Sequence, residues 1–274
     1  MTTLRLPDAF ATAFDHSPVL VDHTLDDHPL LTPEAVAVLA DRLPIEAVEH
    51  NRGSLPAIVA DGVVETVDQT PGRIAREIDT NGCWMVLKNI EQDPAYAAIL
   101  DEMLDQVAAR LSPSQGEMRR RKGFIFLSAP GSVTPSHFDP EHNFLLQVRG
   151  DKDMTVGTFP TAETERDELE RYYGGGHRNV AWLPADERTY PLRPGQGVYV
   201  PIHAPHWVRN GDAVSVSLSI TFQTALSRRA QQVHMANAKL RRLGLTPRPP
   251  GQRMLVDRMK AAVVETYGSL RRTA

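Results

Sequence analysis

Strict alternation of apolar and polar side chains marks the stretch Ala213–Phe222. Val214, Val216, Leu218 and Ile220 fall on one side, and Ser215, Ser217, Ser219 and Thr221 on the other. A period of two is the pattern of a strand with one buried face and one face toward polar space. On a barrel strand, a Ser/Thr row of this kind often faces the lumen. Gly123–Ser128, Asn143–Val148, Met154–Phe159 and Gly197–Pro201 read as further strands, the second and third flanking the turn Arg149-Gly150-Asp151. Several short strands with regular turns predict a sandwich or a barrel between Gly123 and Phe222.

The pattern on either side is helical. Thr32-Pro33-Glu34 supplies an N-cap, a proline at the first helical position and an acid in the first turn, opening a helix that runs to about Arg42. Thr70-Pro71 and Asp93-Pro94 repeat the device. After Asp93-Pro94 comes an apolar stripe of Leu100, Met103, Leu104, Val107 and Leu111, which Ser112-Pro113 ends. Ala57–Ala60, Val63–Val67 and Cys83–Leu87 read as short strands among these helices. Beyond Thr224, Leu226, Ala230, Val233, Leu240 and Leu243 predict one amphipathic helix, and Leu255, Met259, Ala262, Val263 and Leu270 a second. The segment Leu245–Gly251 breaks them apart. The expected organisation is a mixed helical region with a few strands over 1–115, a barrel core over 116–224 and a helical hairpin over 225–274. The insert Pro160–Val180 is expected to be a lid over the barrel mouth.

Composition narrows the class. The chain has 274 residues, 41% of them hydrophobic, enough for a sizeable core. Its 21 prolines and 18 glycines suit a turn-rich fold. A single cysteine, Cys83, rules out an intrachain disulfide and a Cys-rich zinc site, and fits a reducing cytoplasm. No apolar run approaches the ~20 residues of a membrane helix. The net charge of -4 is uneven: Ala225–Ala274 carries 11 Lys+Arg against 2 Asp+Glu. No basic motif with interleaved aromatics accompanies that tail, which argues against nucleic acid. It leaves the acidic body or a second copy as what the two helices cover, the second giving a homodimer through the C-terminal helices.

The candidate chemistry is an H-x-D pair, His137 and Asp139, with a third ligand, His206, 69 residues on. Two imidazoles and one carboxylate occupy one face of an octahedron and leave three positions open, the arrangement of non-haem Fe(II) oxygenases. On a strand, His137 and Asp139 would point to the same side and grip one ion. H-x-D alone is weak evidence, because a core or turn histidine fits it as well.

The surrounding string is more specific. Thr134-Pro-Ser-His-Phe-Asp-Pro-Glu-His-Asn143, continuing through Gly150-Asp-Lys152, resembles the JmjC-type hydroxylases, and most of all the asparaginyl hydroxylase that acts on hypoxia-inducible factor. Pro194–Pro201 through His206 resembles the strand that leads to that family's distal histidine, which selects His206 over His203. The resemblance covers roughly Gly123 to Phe222. It implies a mainly β fold, a double-stranded β-helix (jelly-roll, cupin) core with flanking helices at both termini. It implies Fe(II) and 2-oxoglutarate as cofactors, with His137, Asp139 and His206 on the metal. Thr134, Asn143 and Lys152, at the family's spacings, are implied as 2-oxoglutarate contacts. Ser219 takes the place where the family often has an asparagine. Gln196 stands where the family often has an acid.

Lys152 has independent support: an ammonium on a lumenal strand is costly unless an anion meets it. The other candidates have plainer readings. His142 and His203 are expected to pack or lie on the surface, His177 to sit in a Gly-rich loop that is no phosphate cradle, Trp207 to wall the pocket, and Trp84, Tyr96 and Cys83 to be core. The implied activity is hydroxylation by O2 of a protein or peptide side chain, or of a small molecule, with release of succinate and CO2. Two alternatives stay open: a cupin metal enzyme that does not use 2-oxoglutarate, and a non-catalytic binding or regulatory module.

Overall fold

Side-chain alternation decides which face of each strand meets the barrel interior, and the hydrogen-bonded registers of a computed structural model make that assignment direct. The structure describes residues 2–52, 56–58 and 69–273. Its strands are β1 (Leu4–Arg5), β2 (Val19–His23), β3 (Val48–Arg52), β4 (Cys83–Lys88), β5 (Met118–Ser128), β6 (Val133–His137), β7 (His142–Arg149), β8 (Lys152–Thr158), β9 (Ala185–Leu192), β10 (Gln196–Val200), β11 (His206–Asn210) and β12 (Ser215–Thr224). Its helices are α1 (Phe10–Ala13), α2 (Pro33–Arg42), α3 (Pro71–Arg76), α4 (Pro94–Ala108), α5 (Ala162–Tyr173), α6 (Ala225–Arg242) and α7 (Met254–Thr273). The expected strand Val63–Val67 and the end of Ala57–Ala60 lie outside the described residues.

The strands form two antiparallel sheets. The larger runs β1-β2-β10-β7-β12-β5-β4-β3 and the smaller β6-β11-β8-β9. This is the mainly β jelly-roll arrangement, with helices toward both ends of the chain. Between the sheets lies a core of Leu145, Met154, Val156, Tyr190, Leu192, Val198, Val200 and Val208, with Phe126 packed against it. That core fixes the lumenal face of every strand it touches. Leu145 puts Asn143 and Gln147 on the lumenal face of β7. Met154 and Val156 do the same for Lys152 on β8. The register Ser217↔Gln147, Ser219↔Leu145, Thr221↔Asn143 brings the Ser/Thr row of β12 onto the lumenal face as well.

The chain divides into two compact units that do not follow chain order. One comprises Met1–Leu111, Arg120–Thr158 and Asn179–Phe222; the other Ser112–Arg119, Phe159–Arg178 and Gln223–Ala274. In the first, the expected helix starts are present. The Thr32 hydroxyl accepts from Ala35 N at 3.2 Å, and Asp93 accepts from Ala95 N at 3.0 Å. α4 buries Tyr96, Ile99, Leu100, Met103, Leu104 and Val107. Gly150, at φ 66°, lets the β7–β8 hairpin turn where a Cβ would meet Val214 O at 2.5 Å. That turn delivers Lys152 as the first residue of β8.

In the second unit, the stretch expected as a lid is built around α5, which lies beside α6. Arg241 of α6 pairs with the buried Glu170 of α5, and Tyr173 stacks on His234 at 5.6 Å between ring centroids. Burial pushes the His234 imidazole down to about 4. Thr224 and Ser227 form a reciprocal cap at the start of α6. The buried side of α6 is Ser227, Val233, His234, Asn237 and Ala238. Leu226 and Leu243, expected on that face, are exposed. The polar Asn237 is buried because it bonds Arg248 O at 2.9 Å and takes a bond from Lys260 Nζ at 2.6 Å. On α7 the expected apolar face is also outward: Leu255, Met259 and Val263 are at least 69% exposed, and Asp257 and Ala261 are buried instead. No helix among the described residues is long and apolar enough to cross a membrane.

Candidate metal centre

His137 ends β6 and His206 begins β11, and the two are directly paired across the smaller sheet. Their ring centroids lie 4.2 Å apart. Asp139 is not on a strand, as the H-x-D spacing led us to expect; it lies two residues past the end of β6. The loop aims it at the pair: its Oδ1 is 4.0 Å from His137 Nε2 and its Oδ2 3.6 Å from His206 Nε2. One ligand atom from each of the three residues falls within 4.8 Å of the others, close enough to share an ion.

The tautomers follow from the backbone. His137 Nδ1 lies 2.7 Å from Pro135 O, and His206 Nδ1 2.9 Å from Ala204 O. A carbonyl only accepts, so each Nδ1 carries the proton and each Nε2 presents its lone pair to the centre. Two further bonds hold the strand ends in place. His203 N donates to Asp139 O at 2.9 Å, and Val180 N donates to Ser136 O at 3.0 Å.

A register shift places Thr134. His206 pairs with His137 and Val208 with Thr134, so two steps along β11 oppose three steps along β6. Three steps along a regular strand would put Thr134 on the opposite face from His137. The bulge restores it to the lumenal face shared by His206 and Val208. Asn143, at the start of β7, donates from Nδ2 to Asp139 Oδ2 at 3.3 Å and accepts from the Ser219 hydroxyl at 2.7 Å. Gln147, deeper on β7, is consumed by Ser217, Ser215 and the β7–β8 turn.

Lys152 is buried in the lumen, and desolvation pushes its ammonium down to about 7. Among the described residues no carboxylate pairs with it. On β11 it lies opposite Asn210, four residues from His206, or roughly 13 Å of strand. Its side chain spans part of that distance.

Of the other candidates, Trp207 is relocated and His142, His177, Cys83 and Tyr96 are where expected. Trp207 alternates with the lumenal His206 and Val208, so it faces out of the smaller sheet. Its indole lies 3.5 Å from Glu187, and Arg209 sits over its ring. It is not a pocket wall. His142 points away from the lumen into Phe14, Tyr199 and Phe222, where burial holds it near 3. His177 is exposed, and Cys83 and Tyr96 are core. Thr221 stands in the Ser/Thr row without a role assigned from the sequence. Its hydroxyl is buried on the lumenal face opposite Asn143, with no hydrogen-bond partner among the described residues. The Ser/Thr alternation contained that signal, but could not tell which hydroxyl in the row would be left unbonded.

Residues 100–229 match the JmjC domain family. The chain is 32% identical over 112 residues to Jumonji C domain-containing protein 5 of Drosophila melanogaster, covering 36% of this chain and 27% of that protein. It is 30% identical over 106 residues to lysine-specific demethylase 8 of Xenopus tropicalis, covering 34% and 22%. The match thus spans about a quarter of these curated relatives. In fold, it resembles the Escherichia coli ribosomal oxygenase YcfD in complex with cobalt and 2-oxoglutarate. The TM-score is 0.55 at 18% identity, over 97% of this chain and 68% of that one. The cobalt and succinic acid complex of YcfD gives 0.50 at 17%, with the same coverage. The cofactors of the matched family are Fe(II) and 2-oxoglutarate, and the residues of the matched segment fit both. Two Nε2 lone pairs and the Asp139 carboxylate make up the two-imidazole, one-carboxylate donor set that suits Fe(II), and the buried Lys152 stands in the same lumen.

Proposed function

We propose that this protein is an Fe(II)- and 2-oxoglutarate-dependent oxygenase that hydroxylates its substrate, with release of succinate and CO2. The observation that carries the reading is Lys152: a buried ammonium in the same lumen as the triad, with no carboxylate paired to it among the described residues. His137, Asp139 and His206 hold the metal, which when bound supplies the oxidising chemistry with O2. Lys152 takes the far carboxylate of 2-oxoglutarate, in line with its place opposite Asn210, four residues along β11 from His206. Thr134 reaches the same molecule from the bulge, and Asn143 lies between it and Asp139. Ser219 acts by fixing the Asn143 amide. The apolar floor of Met154, Val156, Val198 and Val208 keeps water from the reacting end.

A polypeptide side chain is the substrate we favour over a small molecule, supported by the likeness of Thr134–Lys152 to asparaginyl hydroxylases. The exposed stripe Leu255, Met259 and Val263, at i, i+4 and i+8 of α7, supports a second copy of this chain as its cover. The basic C-terminal segment against the acidic remainder supports the same pairing. A reducing, cytoplasmic setting suits the lone buried thiol, Cys83. The test is succinate formation by the full chain with Fe(II), 2-oxoglutarate and O2, alongside calorimetry of 2-oxoglutarate binding to the Mn(II)-loaded protein. Binding with slow, substrate-stimulated succinate release supports the reading, and binding of neither metal nor 2-oxoglutarate overturns it.

A further inference from the structure

Both the carboxylate ligand and the distal imidazole are tied to one tight turn, Pro201–Ala204, closed by Ala204 N donating to Pro201 O at 3.1 Å. Its third residue, His203, is in the left-handed region at φ 64°. That position of a β-turn ordinarily belongs to glycine or asparagine. The flanking groups show what the conformation achieves. The His203 N–H points at the Asp139 carbonyl, 2.9 Å away. The next residue, Ala204, turns its carbonyl onto His206 Nδ1 at 2.9 Å. The left-handed residue thus lies between the 202–203 peptide, whose N–H meets the loop that carries Asp139, and the 204–205 peptide, whose carbonyl meets the imidazole of His206. Backbone held in a sparsely populated region persists where its surroundings enforce it, and such places cluster at functional sites.

We propose that His203 is a positioning residue. Its left-handed backbone sets the angle between Asp139 and His206, and so the affinity of the centre for a divalent metal. The inference rests on the reading of the triad as a metal site. It assigns the role to the backbone conformation at residue 203; the imidazole itself packs edge-on against Phe138, with ring centroids 6.2 Å apart.

The test is a graded series, His203→Gly, His203→Asn, His203→Ala and His203→Val, made in the full chain. Co(II) alone is titrated and followed by its visible absorbance, and the melting temperature is measured without metal. Glycine adopts the left-handed region freely, asparagine readily, alanine at a cost and valine at a larger one. Co(II) affinity should follow that order. Gly and Asn should stay within about 3-fold of wild type, Ala should lose about 10-fold and Val up to about 100-fold, the range seen when groups that orient metal ligands are removed. Side-chain volume or polarity would give a different order, since asparagine is both bulky and polar. A merely structural role would change melting temperature in that order while leaving the Co(II) affinity of folded protein unchanged, and that result overturns the proposal. Equal loss in all four variants overturns it too. If the valine variant does not fold, the glycine, asparagine and alanine variants decide alone. Failure of wild type to bind Co(II) removes the metal reading itself, which is a separate outcome.

Discussion

The Ser219 hydroxyl donates to Asn143 Oδ1 at 2.7 Å. The bond fixes which end of the Asn143 amide is which, and turns Nδ2 toward Asp139 Oδ2 at 3.3 Å. Ser219 therefore reaches the metal centre through two hydrogen bonds without touching it. Ser219→Ala frees the amide to rotate and removes a buried bond worth about 1 kcal/mol of stability. Co(II) affinity should fall about 10-fold, as when other groups that orient metal ligands are removed. A titration in which the alanine variant matches wild type would show that Asn143 holds its orientation unaided.

Lys152 predicts a gain of stability on mutation. Its folded-state pKa is about 7 against an ordinary 10.5, because burial disfavours the charge. Between those values the unfolded chain binds a proton that the native state lacks, so stability rises with pH across that window. Below about pH 7 both states are charged, and the native state carries the whole burial penalty. Lys152→Met keeps the length of the side chain and removes the charge. Without metal, the Lys152→Met variant should melt at a higher temperature than wild type at pH 7. It should also lose the rise in stability between pH 7 and 10, while its 2-oxoglutarate affinity drops by about 100-fold, or ~3 kcal/mol for a charge-assisted bond. Thermal melts against pH, with and without 2-oxoglutarate, check both. A lower melting temperature for the variant would mean that an anion already pairs with the lysine.

The chain discloses some of this architecture and withholds the rest for identifiable reasons. The β12 alternation is legible because the lumen takes Ser215, Ser217, Ser219 and Thr221 while the opposite face takes apolar side chains. β9 is not, because Asp186, Glu187 and Arg188 blank out its pattern and only Tyr190 and Leu192 are buried. The H-x-D pair is visible in the sequence, but the end of β6 between its two members is not. The bulge that turns Thr134 inward exists only in the pairing with β11. On α6 and α7 the spacing shows which face is apolar. It cannot show that Leu226, Leu243, Leu255 and Met259 stay uncovered within one chain, since amphipathicity records a need for a partner and not where the partner is.

Thr221 separates a lumenal hydroxyl that is structurally bonded from one that is not. Ser219 spends its proton on Asn143, whereas Thr221 Oγ1 is buried with no partner among the described residues. Thr221→Val keeps the β-branched shape and removes an unsatisfied polar atom, so the fold should lose nothing and the melting temperature should hold or rise. If the hydroxyl serves bound 2-oxoglutarate, affinity for it falls about 5-fold, equivalent to one hydrogen bond of ~1 kcal/mol. Calorimetry on Mn(II)-loaded protein measures this directly. Unchanged affinity would assign the Thr221 hydroxyl to packing alone.

The outward stripe of α7 yields the last prediction. Leu255, Met259 and Val263 are 75%, 70% and 69% exposed, one above another on successive turns. Burying a side chain of this kind is worth about 1.5–3 kcal/mol. A two-fold contact counts each residue twice, so three positions per chain can offset much of the cost of association. The stripe is self-complementary, because antiparallel pairing sets Leu255 near the partner's Val263 and leaves Met259 at the axis. Met259→Glu therefore brings two like charges together in an apolar contact and should convert a dimer to a monomer at micromolar concentration. Co(II) affinity should be unaffected, because the triad lies in the other compact unit. Sedimentation of wild type and variant reads the mass, and a wild type that is monomeric under these conditions would leave the stripe without the partner assigned to it.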